Sequence, residues 1–522
     1  MRKAFFIIMM IVGGNAGIHL KAQIQGSSLE KALTEQTKQN ASSFRYGSQV
    51  NEFYKYHHHK TAWITNHLNR QCLLNYLETA ADLGLSKHDY QFNFIQSFLA
   101  NNLRLATSAD SIEAEIRFSD AAIHFFNDVV NGNQAPQIGY NGLEYTPGCF
   151  NIPELLSSAL VLKRLPGFLL EVEDKSPEYT ALKNKIIRYN RIIRDSLYKE
   201  NMRITSVVLD DGNKPLVQKL FQLGIIESPK EKISEKDLKQ KLKEAQRLFA
   251  LVDDGILRSP ILAELNAALS LRLEALFRAI NTVRWLRCIR EQAKDIVVVN
   301  IPSATLLVYG HTIVIMESKV IVGKKSTRTP VFCSKISEVV LYPYWMVPKS
   351  IATKELLPII KRNVGYLEAN SFQVVNEHGR VVNPSTINWQ ALSSSYFPYT
   401  LRQSTGCDNS LGLIKLNFYS PYGVYLHDTP GKSLFYLNKR YFSHGCMRVE
   451  KAIELGHVVL KDNAIAIDTL DEKGCLRNQK PIPVPVTEKI PVFVLYNTAW
   501  VDSSATVRFY EDVYSKFSSA PK

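Results

Sequence analysis

The hydrophobic pattern of this chain changes its period near Asp295, and this change constrains the fold more than any other feature. Before it, apolar residues recur at spacings of three and four, for example in residues 72–83 and 110–130, which predicts amphipathic helices. After it, short β-branched runs such as 297–301 and 305–309 are separated by turn residues, which predicts strands. Because helices precede strands without regular alternation, we predict an α+β multidomain architecture.

A chain of 522 residues is too long for a single domain of ordinary size. We predict an α-helical scaffold domain at 23–200, a small helical unit at 206–270, a linker helix at 271–292 and a β-rich domain at 293–500. Within the β-rich domain, the helical and then polar stretch at about 355–399 is interpreted as an insertion that caps a cleft. Residues 501–522 are predicted to form a C-terminal tail.

The first 22 residues have the layout of a secretory signal peptide. Arg2 and Lys3 precede an apolar run at 4–12, and we expect cleavage after Ala22. The run is too short to cross a hydrocarbon core of about 30 Å as a helix, and no later segment is apolar for the length required. The region also lacks a cysteine for lipid attachment. We therefore expect an exported, periplasmic protein without a transmembrane anchor.

The formal net charge of +14 suggests an anionic partner. Export argues against nucleic acid, and the basic residues are scattered without the interleaved aromatic side chains of a single-strand-binding groove. Two interpretations remain open, a solvated basic surface and electrostatic attraction to the carboxylates of an extracytoplasmic polymer.

Seven cysteines are spread widely and irregularly along the chain. Their odd number leaves at least one free thiol in an oxidising compartment, and their spacings indicate neither a zinc site nor a dense disulfide framework. The pairing of the other six stays open. The run His57-His58-His59 is interpreted as a surface histidine cluster, because adjacent histidines do not converge on an ion without partners elsewhere. No metal and no organic cofactor is expected.

The chemically richest segment contains His427 and, further along, Ser443-His444-Gly445-Cys446-Met447-Arg448. A cysteine attacks as its thiolate, and an unperturbed thiol with a pKa of about 8.5 is little ionised at neutral pH, so it needs a neighbouring base. His427 ends a strand-like apolar run and can be that base. Gly445 permits a tight turn beside backbone N–H groups that can hold an oxyanion. These features predict an acyl-transfer site with Cys446 as the nucleophile.

This pattern resembles the signature of the YkuD-type L,D-transpeptidases, in which an upstream histidine is followed by Ser/Thr-x-Gly-Cys and then by Asn or Arg two positions later. The run from Tyr425 to Pro430 and the segments 342–348, 402–403 and 409–412 resemble the large periplasmic YcbB-like subgroup. That resemblance extends over residues 295–461. Residues 206–270 resemble the small helical peptidoglycan-binding domain, although a generic three-helix unit would have the same apolar pattern.

The resemblance implies that Cys446 attacks a peptidoglycan tetrapeptide stem at the L-centre of its diamino acid, expels D-Ala and forms a thioester, which leads to a 3-3 cross-link. His427 would transfer the proton, oriented by the backbone carbonyl of Asp428. Backbone N–H groups of Gly445 and Cys446, with the Tyr425 hydroxyl, would hold the oxyanion. His444 would assist the thiolate or support the loop, and support is favoured. The predicted substrate-binding residues are Arg448, Ser443, Trp345, Tyr344, Arg402 and Asn409.

The expected partners are peptidoglycan stem peptides and glycan, with other cell-wall synthesis proteins as further candidates. Carbapenem β-lactams are expected to acylate Cys446, because their strained carbonyl imitates the donor amide. Two alternatives remain: an L,D-carboxypeptidase or endopeptidase that resolves the same thioester with water, and a non-catalytic wall-binding scaffold. Cys407 lacks a local histidine and is expected to be structural. An inert buried thiol at Cys446 is disfavoured by its polar, glycine-bearing surroundings.

Overall fold

The computed structural model of the chain describes residues 29–31, 35, 44–100, 105–143, 148–198, 200, 202–204, 214–230, 233–463, 467–468, 470, 474, 476 and 479–517. The predicted signal peptide at 1–22 lies outside the described residues. The chain divides into two compact units, the first within residues 1–78, 87–126 and 151–171, and the second within 79–86, 127–150 and 172–522.

The first unit is helical, as the 3.6-residue pattern predicts. Its helices are α1 (Gly47–Tyr56), α2 (His67–Glu78), α3 (Phe92–Leu99), α4 (Ser108–Asn131), α5 (Ile152–Val161) and α6 (Leu165–Val172); the ends of α4 and α6 count with the second unit. A fully buried carboxylate, Glu115 on α4, organises its core: it accepts hydrogen bonds from the backbone N–H of Ala62, Trp63 and Ile64 and from the Tyr54 hydroxyl. One carboxylate thus provides the hydrogen-bond acceptor for the backbone N–H groups of a buried loop that is not part of a β-sheet.

The prediction of a surface histidine cluster is wrong for His57. This residue follows the last turn of α1 and is only 8% exposed. Its ring stacks on Phe53 at 5.2 Å between centroids, and Nδ1 lies 3.1 Å from the Ser157 hydroxyl. Burial, followed by the charges of His58 and Lys60, lowers the pKa of His57 to about 4. A neutral imidazole with a hydroxyl partner is stable in a core, which the run of three histidines did not indicate.

The second unit begins with helices that surround one long central helix. They are α7 (Pro177–Arg194), α8 (Lys214–Gln222), α9 (Glu235–Leu248), α10 (Ser259–Asn266) and α11 (Leu269–Gln292). Helix α7 starts with Ser176, whose hydroxyl accepts from Tyr179 N–H at 3.3 Å, and proline at the first helical position. Apolar residues of all five helices share one core with the C-terminal strands. The segment predicted at 206–270 therefore packs as part of a larger body.

Helix α11, which contains the linker helix predicted at 271–292, is buried along much of its length. Arg284 is fully buried and donates to the carbonyl of Leu83 at 2.8 Å, and Arg290 pairs with Asp174 at 3.2 Å. Buried guanidinium groups persist when each finds an acceptor.

The β-rich domain begins with β2 at Asp295, where the sequence pattern predicted it. Ten strands form the main sheet in the order β1-β5-β10-β11-β13-β4-β3-β2-β14, with β12 added beside β4. Because β14 pairs with both β2 and β5, the strand path closes on itself. The strands are β1 (Tyr140–Asn141), β2 (Asp295–Asn300), β3 (Thr305–Gly310), β4 (Ile313–Gly323), β5 (Phe332–Leu341), β10 (Ile414–Phe418), β11 (Leu426–His427), β12 (Tyr441–Ser443), β13 (Met447–Val449) and β14 (Ile482–Leu495).

A second, four-stranded sheet includes the insertion predicted at about 355–399 and extends beyond it at both ends. Its order is β6-β9-β7-β8, from β6 (Trp345–Met346), β9 (Thr400–Gln403), β7 (Phe372–Val375) and β8 (Val381–Val382). Short helices α12 (Lys349–Ile351), α13 (Leu357–Arg362) and α14 (Tyr366–Ala369) pack on it around a separate hydrophobic core. We call residues 345–403 the cap. Helix α15 (Ala452–Leu460) follows β13 and packs on the main sheet.

Residues 499–517 belong to the folded body, although 501–522 was predicted to be a tail; residues 518–522 lie outside the described residues. Strands β15 (Ala499–Val501) and β16 (Val507–Phe509) pair, and Tyr514 is 1% exposed. Cys149 and Cys288 form a disulfide, and Cys407 is also disulfide-bonded. Cys72, Cys333 and Cys446 are free thiols, in agreement with the expectation of at least one. In the part of the chain that is described, no helix is long and apolar enough to cross a membrane.

Candidate active site

The pairing of β11 with β13 places the predicted nucleophile and base on one face of the sheet. The strands run parallel, with Leu426 opposite Met447 and His427 opposite Arg448. Leu426 and Met447 are fully buried in the main core. Because side chains alternate along a strand, their neighbours Tyr425, His427, Cys446 and Arg448 all face the other side. Strand pairing thus brings together residues that are distant in the sequence.

His427 is held as a neutral base. It is 4% exposed, and its Nδ1 lies 2.5 Å from the backbone carbonyl oxygen of Asp428. A carbonyl can only accept, so Nδ1 carries the proton and Nε2 keeps a lone pair. Burial, followed by the charge of Arg448, lowers the pKa of His427 to about 3; Lys415 adds to this shift. The imidazole therefore stays uncharged throughout the neutral range.

Cys446 is held as a protonated thiol. Burial raises the pKa of the Cys446 thiol. Hydrogen bonds from the backbone and side chain of Tyr425 oppose this, and so do the charges of Lys415 and Arg448. His427 lies on the strand that pairs with the strand after Cys446, so the resting groups are a thiol and a neutral imidazole.

A hydroxyl inside the turn shapes the loop before the cysteine. The Ser443 side chain is 2% exposed, accepts from Gly445 N–H at 3.1 Å and donates to the Cys446 carbonyl. Gly445 has φ of +120°, a conformation that favours glycine. These contacts correct two expectations. The Gly445 N–H is already bonded and is not available for an oxyanion, and the buried Ser443 hydroxyl is occupied within the loop instead of facing a substrate.

The oxyanion donors that remain are the Cys446 N–H and the Tyr425 hydroxyl. Within the described residues the Cys446 N–H donates to no acceptor. The Tyr425 hydroxyl hydrogen-bonds to the Cys446 side chain and accepts from the indole of Trp345, and burial raises its pKa. A donor left without a protein partner beside the reacting sulfur suits a charge that develops only during the reaction.

A further layer of hydrogen bonds, which the sequence did not reveal, supports this loop from behind. The Thr329 hydroxyl donates to the Gly445 carbonyl at 2.8 Å and accepts from Gly323 N–H at 2.8 Å. The Tyr514 hydroxyl accepts from Thr329 N–H at 3.0 Å and donates to the Gly323 carbonyl at 2.7 Å. The C-terminal segment thereby fixes the backbone on which Cys446 is carried.

His444 connects the same loop to the cap. Its Nε2 lies 2.7 Å from Oε1 of Glu355, in the helical turn between α12 and α13. The His444 side chain is 34% exposed. Its ring nitrogen is therefore occupied by a carboxylate of the cap, which corresponds to a supporting position.

The other predicted substrate-binding residues are distributed between the cap and its base. Trp345 reaches Tyr425, as described above, and so borders the site. The Arg402 guanidinium stacks over the Tyr344 ring at 4.5 Å, so the predicted residues Arg402 and Tyr344 contact each other. Arg402 also donates a hydrogen bond to Gln373 Oε1. Asn409 is 1% exposed, and its amide donates to the carbonyls of Pro343 and Ser404. The Asn409 amide supports the loop and has no exposed polar group to offer a ligand.

Lys415 is a site residue that the sequence analysis missed. It lies on β10, directly opposite His427 in the register, between the core residues Ile414 and Leu416. Its Nζ lies 4.1 Å from the centroid of the Tyr425 ring. The alternation of residues 414–418 indicates a strand with Lys415 on its polar face. Only the pairing of the strands shows that this polar face is the one that carries His427.

Comparisons with known proteins match two parts of the chain to known domains. The profile of the YkuD family, described as the L,D-transpeptidase catalytic domain, matches residues 294–467, and a profile described as a scaffold domain matches 48–186. A protein of Haemophilus influenzae described as "Putative L,D-transpeptidase" is 38% identical over 216 residues, which are 41% of this chain and 43% of that protein. A solved L,D-transpeptidase from Mycobacterium smegmatis aligns over 39% of this chain and 58% of its own, with 16% identity and a TM-score of 0.18.

The β-rich domain with its closed sheet therefore corresponds to a transpeptidase catalytic domain. More specifically, residues 294–467 are an L,D-transpeptidase catalytic domain of the YkuD family. The predicted resemblance is confirmed at this level, and so is the α+β architecture with a helical scaffold domain before the β-rich domain. The chain spans less than half the length of the curated relative that it matches.

Proposed function

We propose that this protein forms 3-3 cross-links in peptidoglycan through a thioester on Cys446. The observation that carries the proposal is the common face of β11 and β13, on which a neutral His427 and the Cys446 thiol lie with an unbonded backbone N–H. A base, a nucleophile and an oxyanion donor are the parts that acyl transfer requires.

In the first half-reaction, Nε2 of His427 takes the proton from the Cys446 thiol while Sγ attacks the carbonyl of the L-centre in a donor tetrapeptide. The carbonyl oxygen becomes an oxyanion near the Cys446 N–H and the Tyr425 hydroxyl. Loss of one such donor typically costs about 3 kcal/mol in the barrier. The imidazolium then gives its proton to the departing amine, so D-Ala leaves as a neutral amine and the thioester remains.

In the second half-reaction, the side-chain amine of an acceptor stem attacks the thioester. His427 accepts the amine proton, the C–N bond forms, and Cys446 leaves as a thiolate that takes the proton back. Both steps use the imidazole at the position set by the Asp428 carbonyl. Water in place of the amine would give a tripeptide, so exclusion of water by the cap favours transfer.

The same proposal extends to the setting of the enzyme. We propose that it is exported to the periplasm, belongs to the YcbB-like subgroup, and is acylated by carbapenems at Cys446. The scaffold match at 48–186, the catalytic match at 294–467 and the cap at 345–403 support the subgroup assignment. Disulfide bonding of Cys149 with Cys288 supports an oxidising compartment.

The test incubates the full mature chain with disaccharide-tetrapeptides and identifies the products by mass spectrometry, with Cys446→Ala as the paired variant and Cys333→Ala as the matched control. We expect a dimer lacking one D-Ala from the parent and from Cys333→Ala, and none from Cys446→Ala. A Cys446-dependent tripeptide without dimer would establish a carboxypeptidase instead. No product from any form, with correctly folded protein, would contradict the proposal.

A further inference from the structure

We propose that Lys415 is a positioning residue whose ammonium group stabilises the Cys446 thiolate from the neighbouring strand. The inference rests on the proposed function, because it concerns the same nucleophile. Nothing in the sequence motif around Cys446 includes this lysine, which lies on β10 and is separated from the cysteine strand by β11.

The strand register is the first line of evidence. Lys415 pairs with His427, and its neighbour Leu416 pairs with Leu426, which is buried in the core. Lys415 must therefore face the side of the sheet that carries Tyr425, His427 and Cys446. Adjacent strands are about 4.8 Å apart, so a four-carbon side chain on β10 can reach across β11 toward the cysteine.

The contacts of Tyr425 are the second line of evidence. The Lys415 ammonium sits over the Tyr425 ring at 4.1 Å, and the hydroxyl of the same ring bonds the Cys446 side chain. Lysine, phenol and thiol therefore form a continuous row across three strands. The interaction of Lys415 with Cys446 is electrostatic in both directions: each favours the charged form of the other.

The charged groups around Lys415 determine how far its ammonium and the Cys446 thiolate are stabilised. Arg448, on β13, contributes a second positive charge, and His427 is neutral. Glu338, on β5, is the carboxylate that interacts with Lys415, and it also accepts from Asn417 at 2.7 Å. Burial lowers the pKa of Lys415, and the interactions with Cys446 and Glu338 oppose that loss. A half-buried ammonium with so few acceptors is suited to stabilise a thiolate when one forms.

This placement gives Lys415 a role in both half-reactions. The thiolate is the attacking species in the first and the leaving group in the second, and a nearby cation lowers the free energy of each charged state. The lysine need not touch the substrate, because it acts through the sulfur and through Tyr425.

The test measures the apparent pKa of the Cys446 thiol from the pH dependence of iodoacetamide alkylation, followed by peptide mapping of Cys446 in the full chain. Lys415→Met should raise the apparent pKa by about one unit, and alkylation below that pKa should slow about tenfold. Lys415→Arg keeps the charge and should restore most of the shift. Lys439→Met, which removes an exposed lysine paired with Glu511, is the matched control and should leave the pKa unchanged.

An unchanged thiol pKa in Lys415→Met would overturn the proposal, and an equal shift in Lys415→Met and Lys415→Arg would assign the effect to packing. If the methionine variant does not fold by circular dichroism, Lys415→Gln is measured and judged in the same way. Because alkylation needs no peptidoglycan, failure of cross-linking in the parent leaves this readout intact. The two proposals therefore fail by different observations.

Discussion

The neutral state of His427 makes a quantitative prediction about pH. In the folded chain the pKa of this imidazole is lowered to about 3, because burial and the flanking charges of Arg448 and Lys415 disfavour the imidazolium. In the unfolded chain the imidazole should titrate near 6.5. Between these values the unfolded state binds a proton that the folded state does not, so stability is complete above 6.5 and falls as the pH falls toward 3.

The size of this effect follows from the shift. One pKa unit corresponds to about 1.4 kcal/mol, so at a pH two units below 6.5 the parent should have lost about 2.7 kcal/mol through His427. His427→Gln removes the titrating group. On acidification to the same pH, the unfolding free energy of this variant should therefore fall by about 2.7 kcal/mol less than that of the parent. His378→Gln, at a side chain that is 75% exposed, is the matched control and should not change the slope.

The direct assay is a titration of protein labelled at histidine 13Cε1, with His427→Gln to assign the resonance. We expect the His427 signal to stay at its neutral position from pH 8 to below 5, and kcat/KM to keep an acid limb well below the ordinary histidine range. A His427 resonance that titrates near 6.5 would refute the reasoning, because the base would then be charged in mildly acidic conditions.

Two further predictions follow from the supports of the loop. Thr329→Val removes a buried hydroxyl with two hydrogen bonds, so we expect a loss of about 2–4 kcal/mol in unfolding free energy and slower alkylation of Cys446. The control is Thr353→Val, which loses one helical hydrogen bond. Glu355→Gln removes the carboxylate that contacts His444. We expect faster amide hydrogen exchange in the cap and a higher ratio of hydrolysis to transfer, and the exposed Glu368→Gln serves as the control. Equal behaviour of the paired variants would contradict each prediction.

The sequence predicted the architecture where local patterns determine it. The change of period placed the start of β2 at Asp295, and the polar stretch near 355–399 lies inside the cap. Motif chemistry selected Cys446 and His427 as candidates, and the pairing of β11 with β13 brings their segments together. These features are readable because each depends on neighbours in the chain.

The features that the sequence did not reveal depend on pairing between distant segments. Lys415 enters the site only through the register of β10 with β11, and Thr329 and Tyr514 reach the catalytic loop from different parts of the chain. The Gly445 N–H was expected to be a donor for the oxyanion, but the Ser443 hydroxyl two residues earlier already accepts it. Hydrogen-bond competition of this kind is decided by three-dimensional placement, which motifs do not encode.

The central claim is that acyl transfer passes through a thioester on Cys446, and trapping that intermediate tests it most directly. The full chain would be mixed with disaccharide-tetrapeptide without a competent acceptor, quenched in acid, and analysed by intact mass and peptide mapping. We predict an adduct equal to the donor minus D-Ala, located on Cys446 and absent from Cys446→Ala. Formation of cross-linked product without this adduct, or an adduct on another residue, would contradict the account.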